Sequence, residues 1–304
     1  MRVFVTGAAG FLGSYLVEEL INRGHDVAVL LREQTNPWRL DKVRTRICVI
    51  VGAMEDIFSL RGPLSGFAPE AVAHFAWRGV ANSERNSPAQ AHNIAATVEL
   101  ADLAADLGAR VFVGAGSHAE YGPYSRMIHE DDHPSPTTLY GMAKLATGML
   151  AGRIASERDM RFAWGRIFST YGPRDNEYWL IPSLIRALAA NEKMALTACE
   201  QRWGFLHARD AAVAFRILLE TDPAAGIYNI GSPDAPTLRS SVTMLRDLVN
   251  PDVSLAIGEL SYRPDQVMFL QPDVSRLRKL GWAPRIDLAT GLREMVSDIV
   301  STRA

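Results

Sequence analysis

The sequence predicts an α/β fold, a doubly wound parallel sheet followed by a smaller C-terminal α+β lobe. Three observations lead to this prediction: a glycine-rich turn directly after the first apolar run, a regular alternation of strand-like and helix-like segments, and a change of that rhythm after Tyr171. Strands that alternate with helices are joined by right-handed crossovers, which give a parallel sheet with helices on both faces.

The first 170 residues supply most of the predicted sheet. Short apolar runs predict strands at 2–6, 27–31, 47–51, 71–75, 111–113 and 162–166. Apolar residues at helical spacing predict helices at 10–23, 90–107, 139–157, 181–190 and 208–220. Gly24 and Gly108 stand where helices commonly end, each shortly before a strand.

A second lobe is predicted from the denser prolines and weaker strand signals beyond Tyr171. The run 226–230 is an exception, because it has the apolar character of one more buried strand. We therefore predict one domain at 1–170 with an interleaved strand at about 226–231, and a substrate lobe in the remainder of 171–304.

Composition excludes several classes of function. The chain has 32 basic and 34 acidic side chains among 304 residues, so its charge gives no reason to expect nucleic acid or a membrane as a partner. Cys48 and Cys199 are too far apart in sequence for a metal-ligand pair, and we expect neither a metal site nor a disulfide framework. No run of 18 apolar residues is present, and we expect no cleavable leader. This composition favours a cytoplasmic enzyme.

The opening glycines are candidates for a phosphate-binding turn. Gly7, Gly10 and Gly13 follow the first strand in a G-x-x-G-x-x-G pattern, and the first helix begins among them. Glycines at such a turn let the backbone approach a pyrophosphate, whose charge is favoured by the free N–H groups of the helix N-terminus. The spacing differs from the usual G-x-G-x-x-G fingerprint, so a tight connection without a nucleotide is the alternative.

The end of the second strand bears on which dinucleotide would bind. NAD sites often carry an acidic residue there for the ribose 2′-hydroxyl, but this chain has Leu31 followed by Arg32. A missing acid and an adjacent cation favour a 2′-phosphate and hence NADP(H), with Arg39 as a second candidate contact. NAD(H) stays open, because Glu33 could serve the ribose and Arg32 could be an ordinary surface charge.

The clearest chemical signal is Tyr140 followed four residues later by Lys144. Residues i and i+4 share one face of a helix, and a neighbouring ammonium is expected to lower the tyrosine pKa from its ordinary value of about 10. With eight tyrosines and four lysines in the chain, such a pair is expected by chance about 0.1 times. Ser117 follows a strand, at the sheet edge where ligands bind, and its hydroxyl could hold a substrate oxygen.

Taken in order, these motifs resemble the extended short-chain dehydrogenase/reductases that modify nucleotide sugars, a family with a Rossmann-like fold. The matching segments are TGAAGFLG at the start, HFAW at 74–77, N-I-x-x-T at 93–97, Ser117, Tyr140-x-x-x-Lys144, RIFSTYGPR at 166–174, LHARDAA at 206–212, YRPD at 262–265 and LGWAP at 280–284. The similarity spans nearly the whole chain.

The resemblance implies a role for each matching residue. Tyr140 would be the acid/base, Lys144 would hold the nicotinamide ribose and lower the tyrosine pKa, and Ser117 would orient the reacting sugar carbon and its oxygen. Ser169 and Arg263 would contact the substrate, Arg263 through its diphosphate. The implied cofactor contacts are Gly7, Gly10, Phe11, Leu12, Gly13, Arg32, Phe75, Ala76, Trp77, Asn93, Tyr140 and Lys144.

Departures from the family pattern narrow the reaction. The residues 117–119 are Ser-His-Ala where nucleotide-sugar 4,6-dehydratases have Thr-Asp-Glu, so the elimination of water lacks its acid. Neither cysteine lies near the motifs, which disfavours epimerase/reductases that need a Cys and His pair. Glu120 before Tyr121 resembles reductases that finish deoxysugars, such as CDP-abequose or paratose synthases. Ser169 and Ala53 replace a usual Asn and Asp, which weakens substrate-side contacts inferred from the family.

The sequence therefore predicts an NADPH-dependent reductase of a nucleotide-linked 4-keto-6-deoxyhexose, in which hydride reaches C4 while Tyr140 donates the proton. An NAD-dependent nucleotide-sugar 4-epimerase is the alternative enzyme. A non-catalytic NADP(H)-binding sensor is the alternative of another class, disfavoured because Tyr140 and Lys144 are both present. The helices at 90–107 and 139–157 are rich in Ala and Leu, and the resemblance implies that they form a homodimer interface.

Overall fold

The computed structural model of the protein describes residues 1–263 and 266–301, and its strands form one large sheet and three short pairs. The strands are β1 (Arg2–Thr6), β2 (Asp26–Leu31), β3 (Ile47–Val51), β4 (Ala71–His74), β5 (Val111–Ser117), β6 (Arg161–Ile167), β7 (Ser169–Tyr171), β8 (Ala195–Leu196), β9 (Arg202–Trp203), β10 (Phe205–His207), β11 (Gly226–Ile230), β12 (Ala256–Ile257) and β13 (Phe269–Leu270). The large sheet is parallel throughout, in the order β3-β2-β1-β4-β5-β6-β11. The strand order changes direction between β1 and β4, the place where open α/β sheets bind their ligands.

Helices cover both faces of the large sheet. The helices are α1 (Phe11–Asn22), α2 (Arg61–Phe67), α3 (Gln90–Asp106), α4 (Leu139–Glu157), α5 (Leu180–Ala189), α6 (Ala208–Glu220), α7 (Leu238–Val249), α8 (Ser275–Lys279) and α9 (Leu288–Ser301). Short 3₁₀ segments lie at Trp38–Arg46, Met54–Leu60, Asn82–Glu84 and His118–Glu120. Within the described ranges, none of the helices is both long enough and apolar enough to cross a bilayer.

Two apolar cores separate the helix layers from the sheet. Leu16 and Leu20 of α1 pack with Phe215 and Leu218 of α6 against one face. The other face is covered by α3 and α4, whose core side chains include Leu100, Leu103, Ala151 and Ala155. The α/β class with a doubly wound, Rossmann-like sheet is confirmed.

The remaining elements build a smaller lobe with a core of its own. α5, α7 and α9 contribute Ile185, Leu188, Leu245, Leu292 and Met295 to a third apolar cluster. The short pairs β7–β10, β8–β12 and β9–β13 belong to the later part of the chain. β11 leaves this lobe and pairs with β6 at the edge of the large sheet, at the place where the sequence predicts an interleaved strand. The division into two domains stays a prediction.

The catalytic-side strand β5 is longer than the sequence predicts. The sequence predicts a strand at 111–113, but β5 continues through Gly114 and Gly116 to Ser117. The reason is a large neighbour: a Cβ on Gly114 would lie 2.2 Å from Cζ3 of Trp164, and one on Gly116 would lie 2.3 Å from its Nε1. The glycines make room for the Trp164 indole and carry β5 on to the site.

Candidate active site

The turn between β1 and α1 depends on two glycines. Gly7 has φ +69°, a left-handed conformation, and a Cβ there would lie 2.5 Å from the backbone N of Ala76. A Cβ on Gly13 would lie 2.1 Å from the carbonyl oxygen of Gly7. α1 begins after Gly10 with no side-chain cap, so its first N–H groups are available to an anion. The turn fits a pyrophosphate.

A cavity of about 670 Å³ opens at the carboxyl ends of β1 to β4. Of the predicted cofactor contacts, it is lined by Gly7, Gly10, Arg32, Phe75, Ala76, Trp77 and Asn93. Its volume falls within the range of about 300–1,000 Å³ typical of small-molecule sites, and its position and glycine turn fit a nicotinamide dinucleotide.

Other predicted cofactor contacts lie behind the cavity wall. Gly13 packs against Gly7, Phe11 stacks edge-on against Tyr15 with ring centroids 5.6 Å apart, and Leu12 packs into the core. These residues support the turn by packing contacts and do not line the cavity.

His74 of the HFAW segment holds β1, β4 and α3 together. Its Nε2 lies 2.9 Å from Oγ1 of Thr97, which itself donates to the carbonyl of Asn93, so we assign the proton to Nε2. Nδ1 then accepts from the Thr6 hydroxyl at 2.8 Å. Burial, followed by the nearby charge of Lys144, lowers the pKa of His74 to about 3. His74 is therefore a neutral structural link.

The three predicted catalytic residues meet at the carboxyl end of β5. Ser117 ends that strand, and its side chain lies near enough to the phenol of Tyr140 to act on the pKa of that phenol. Tyr140 lies in the first turn of α4, which the side chain of Thr138 caps at the backbone N of Gly141. One turn later, Nζ of Lys144 donates to the carbonyl oxygen of Ala115 at 2.6 Å. Tyr140 and Lys144 are 8% and 4% exposed.

Two side chains from loops enclose this group, and the sequence did not predict either contact. Nζ of Lys144 lies 3.7 Å from the ring centroid of Trp77, which also meets the Tyr140 ring edge-on at 6.0 Å. The guanidinium of Arg85 lies 4.8 Å above the Tyr140 ring. Since Trp77 also lines the cavity, its indole stands between the cavity and the ammonium of Lys144.

Burial shifts the protonation of both catalytic candidates. It raises the pKa of Tyr140, although Arg85 and the hydrogen bond from Ser117 act in the opposite direction. It lowers the pKa of Lys144 to about 7, with the carboxylate of Glu120 opposing the shift. The expectation of a lowered tyrosine pKa is therefore wrong, because the effect of burial on Tyr140 outweighs that of the neighbouring positive charge. Burial also leaves Lys144 partly neutral near pH 7.

Charged side chains lie on the rim of the cavity. Nη2 of Arg32 contacts both carboxylate oxygens of Glu55, at 2.8 and 3.1 Å, and Nη1 of Arg78 contacts Oε1 at 2.9 Å. Partial loss of solvation at the exposed Glu55 raises its pKa, but a backbone hydrogen bond and the two arginines hold that pKa below its usual range. The sequence analysis did not single out Glu55 or Arg78.

The other sequence candidates are placed as follows. Arg39 is bonded to protein groups, with Nε donating to the carbonyl of Arg174 and Nη2 to Oδ1 of Asn176, and it does not line the cavity. The amide of Asn93 bonds the backbone N and O of Arg78 and so fixes the loop after β4. Ser169 opens β7, half-buried. Arg263 is exposed, and the following Pro264 and Asp265 of the YRPD segment lie outside the described residues.

In residues 1–263 and 266–301, no group of three or more His, Cys, Asp or Glu side chains is arranged to bind a metal ion.

Fold and site together define a nicotinamide-dependent enzyme of the tyrosine–lysine type. The sequence profile of the NAD dependent epimerase/dehydratase family matches residues 3–231, and the chain belongs to this family of nucleotide-sugar enzymes. The resemblance found in the sequence is thereby confirmed.

Individual relatives differ in activity. CDP-abequose synthase of Salmonella typhimurium is 25% identical, over 97% of this chain and 97% of that protein. MoeE5, solved in complex with UDP-glucose and NAD, is 27% identical with a TM-score of 0.85 over the full length of both chains. UDP-glucose 4-epimerase of Thermotoga maritima, solved with UDP-glucose, has a TM-score of 0.89 over the full length of both chains at 23% identity. That last likeness concerns the fold alone.

Proposed function

We propose that this protein is an NADPH-dependent reductase of a nucleotide-linked 4-keto-6-deoxyhexose. The observation that carries the proposal is the meeting of Ser117, Tyr140 and Lys144 beside a dinucleotide-sized cavity with Arg32 on its rim. Similarity to CDP-abequose synthase along almost the whole of both chains favours a nucleotide-linked deoxysugar as the substrate class.

Tyr140 is the group placed to give a proton to the C4 oxygen. Because the Ser117 side chain is near enough to act on the pKa of this phenol, a substrate oxygen held by the Ser117 hydroxyl would be within reach of the phenolic proton. When bound, the nicotinamide would supply the reducing electrons to the C4 carbon. The burial of Tyr140 keeps bulk water away from the proton during transfer.

Lys144 gives the reaction a predicted pH dependence. A charged ammonium favours the tyrosinate that remains after the proton has left, and burial lowers the pKa of Lys144 to about 7. The charged fraction of Lys144 therefore falls as the pH rises through neutrality. We expect kcat for ketosugar reduction, measured between pH 5 and pH 9 at saturating cofactor, to decline on the alkaline side. A kcat that keeps rising above pH 8 contradicts this role.

The reductase is tested by direct turnover. Purified protein is mixed with NADPH or NADH and a panel of CDP-, dTDP-, GDP- and UDP-linked 4-keto-6-deoxyhexoses. The expected result is loss of NADPH absorbance with at least one ketosugar and a product two mass units heavier. If no ketosugar is turned over by a protein that binds NADPH, the reductase is wrong and the sensor hypothesis gains.

Cofactor choice is tested separately, at Arg32. A 2′-phosphate would form charge-assisted hydrogen bonds with this guanidinium, and losing such bonds costs about tenfold or more in affinity. We expect Arg32→Gln to weaken NADPH binding by about that factor and to leave NADH binding unchanged, as measured by fluorescence titration. Arg110→Gln is the matched control, since Arg110 is 78% exposed and paired with Glu70 beside the opposite ends of the strands. Equal loss of both cofactors in Arg32→Gln argues against a 2′-phosphate site.

An NAD-dependent 4-epimerase is the second candidate. It is favoured by the pairing of Arg32 with Glu55, which occupies the group that a 2′-phosphate would need, and by the NAD bound to MoeE5. The nucleotide released on denaturing the purified protein separates the two. Co-purified NAD that resists exchange, with interconversion of sugar epimers and no net cofactor use, supports the epimerase. An empty or exchangeable site that prefers NADPH supports the reductase.

A homodimer is part of the proposal. α3 and α4 pack side by side, and α4 leaves Met142, Met149 and Leu150 between 48% and 68% exposed. We expect a second copy of the chain to cover these side chains, in the helix-to-helix dimer that the family resemblance implies. Sedimentation should give twice the chain mass of 33.4 kDa, and Met149→Glu should shift the protein toward monomer. A monomer at micromolar concentration removes this part of the proposal.

A further inference from the structure

A buried carboxylate lies directly behind the candidate catalytic group. Glu120 is 1% exposed and accepts hydrogen bonds from three donors. Its Oε1 accepts from the backbone N–H of Ser117 at 2.8 Å and from Nε1 of Trp164 at 2.9 Å, while Oε2 accepts from Nε of Arg166 at 2.7 Å. A buried charge needs such partners, because leaving it unpaired is strongly unfavourable.

The backbone around Ser117 is built to admit this carboxylate. Ser117 and Glu120 form a capping box, in which Oγ of Ser117 accepts from the backbone N–H of Ala119 at 3.2 Å and Glu120 accepts from Ser117. A Cβ on Gly116 would lie 2.6 Å from Oε1 of Glu120, so this strand end requires glycine. The direction of the Ser117 side chain therefore depends on Glu120.

The carboxylate of Glu120 is also a negative charge close to the candidate catalytic residues. Several charged or titratable groups surround them: Arg85 lies above Tyr140, the neutral His74 lies on β4, and Arg166 on β6 pairs with Glu120. Nζ of Lys144 lies 5.9 Å from the ring centroid of Trp164, whose Nε1 donates to Glu120, so this carboxylate is a nearby anion that acts on Lys144. It favours the ammonium form of Lys144, the form that favours a tyrosinate beside it.

We propose that Glu120 is a positioning residue of the active site, which fixes Ser117 through its backbone N–H and supplies a negative charge that favours the ammonium form of Lys144. This inference rests on the proposed function insofar as it takes Ser117 and Lys144 to act in catalysis. Glu120 itself is too deeply buried to meet the substrate.

A control residue exists in the same buried network. Arg166 lies 4.3 Å above the ring of Tyr121, whose hydroxyl donates to Oδ1 of Asn229 on β11 at 2.7 Å. Tyr121→Phe removes that hydroxyl but leaves the three donors to Glu120 in place. A change that merely loosens the core should appear in both variants, whereas loss of the counter-charge should appear in Glu120→Gln alone.

The experiment is a titration of Lys144 by NMR in the ligand-free protein. The chain contains four lysines, Lys42, Lys144, Lys193 and Lys279, so ¹³Cε-labelled lysine gives a spectrum simple enough to assign with a Lys144→Arg variant. We expect the titration midpoint of Lys144 to move to lower pH in Glu120→Gln and to stay at the wild-type value in Tyr121→Phe. With an active ketosugar, kcat for Glu120→Gln at pH 8 should fall by about tenfold.

Two results would overturn the inference: an unchanged midpoint in Glu120→Gln, or an equal shift in Tyr121→Phe. If Glu120→Gln does not fold because Arg166 is left unpaired, the double variant Glu120→Gln/Arg166→Gln removes both charges. A smaller fall in the midpoint is then expected, because the Arg166 cation, which opposes the ammonium form of Lys144, is removed as well; an unchanged midpoint refutes the proposal. Because the titration needs neither cofactor nor substrate, failure of the reductase assay and failure of this inference are separate outcomes.

Discussion

The candidate catalytic residues and the charged residues on the rim of the cavity are held in place in different ways. In the candidate catalytic group, Ser117, Tyr140 and Lys144 are buried, and Lys144 is hydrogen-bonded to the backbone of β5. At the rim, the side chains of Arg32, Glu55 and Arg78 are 52%, 44% and 67% exposed and held by ion pairs. Exposed ion pairs contribute roughly 0–1 kcal/mol each. The candidate catalytic residues are thus placed by packing, whereas the rim, where we propose that the cofactor is selected, is held by exposed ion pairs.

The largest expected effect comes from removing the proton donor at the packed end. Tyr140→Phe keeps the ring between Trp77 and Arg85 but removes the hydroxyl. We expect kcat for sugar conversion to fall by about 10²–10⁴-fold, the usual contribution of general acid–base catalysis. Cofactor affinity, measured by fluorescence titration, should change little.

Tyr124→Phe is the matched control for this variant. The hydroxyl of Tyr124 donates to the carbonyl of His133 in an exposed contact, so its loss should leave kcat near the wild-type value. Near-normal turnover by Tyr140→Phe would mean that another group donates the proton and that packing at this end serves stability alone.

A second test concerns the packing that carries β5 to the site. In Gly114→Ala the new methyl group would overlap the fully buried ring of Trp164. Overpacking of this kind typically costs about 1–3 kcal/mol. We expect that loss in the free energy of unfolding from urea denaturation, together with reduced kcat, because Ser117 lies at the end of the same strand.

Gly62→Ala provides the comparison for Gly114→Ala. Gly62 lies in α2 with nothing within 4 Å of its added Cβ, so alanine should leave stability unchanged or raise it by up to about 1 kcal/mol. If both alanine variants behave alike, the catalytic strand is not held by its contact with Trp164.

The sequence predicted the residues whose shared position follows from helical periodicity, and it missed contacts made by loops that come from elsewhere in the fold. Tyr140 and Lys144 are four residues apart on one helix, so their shared face follows from helix geometry. Trp77 was expected to contact the cofactor, but its contacts with Lys144 and Tyr140, like that of Arg85 with Tyr140, come from loops, and no local pattern indicates where a loop returns. Glu120 lies between these cases. The S-x-x-E pattern of a capping box was present in the sequence, but the burial beside Trp164 and Arg166 was not.

The fold shows the same division. The helices and strands with long apolar repeats were predicted within a few residues, except that β5 continues through its glycines. α2, α7, α8 and α9 were not predicted. Segments such as GSPDAPT and YRPDQ surround these later elements, and turn residues favoured loops there. The apolar faces of α7 and α9 pack in the separate core of the second lobe, which depends on contacts far apart in sequence.

The smallest expected effect belongs to the rim, at Glu55. This carboxylate binds Arg32 and Arg78, so a 2′-phosphate must displace it from at least one guanidinium and would be repelled by it. In Glu55→Gln the amide keeps the shape but not the charge. Since an exposed pair contributes up to about 1 kcal/mol, we expect NADPH affinity to rise by about two- to fivefold and NADH affinity to stay constant. Fluorescence titrations at low and high salt measure this, and the gain should shrink as salt screens the rim. If Glu55→Gln instead weakens NADH binding, Glu55 binds the ribose hydroxyl of NAD. Glu55 would then take the role of the acidic residue that NAD sites often carry at the position of Leu31.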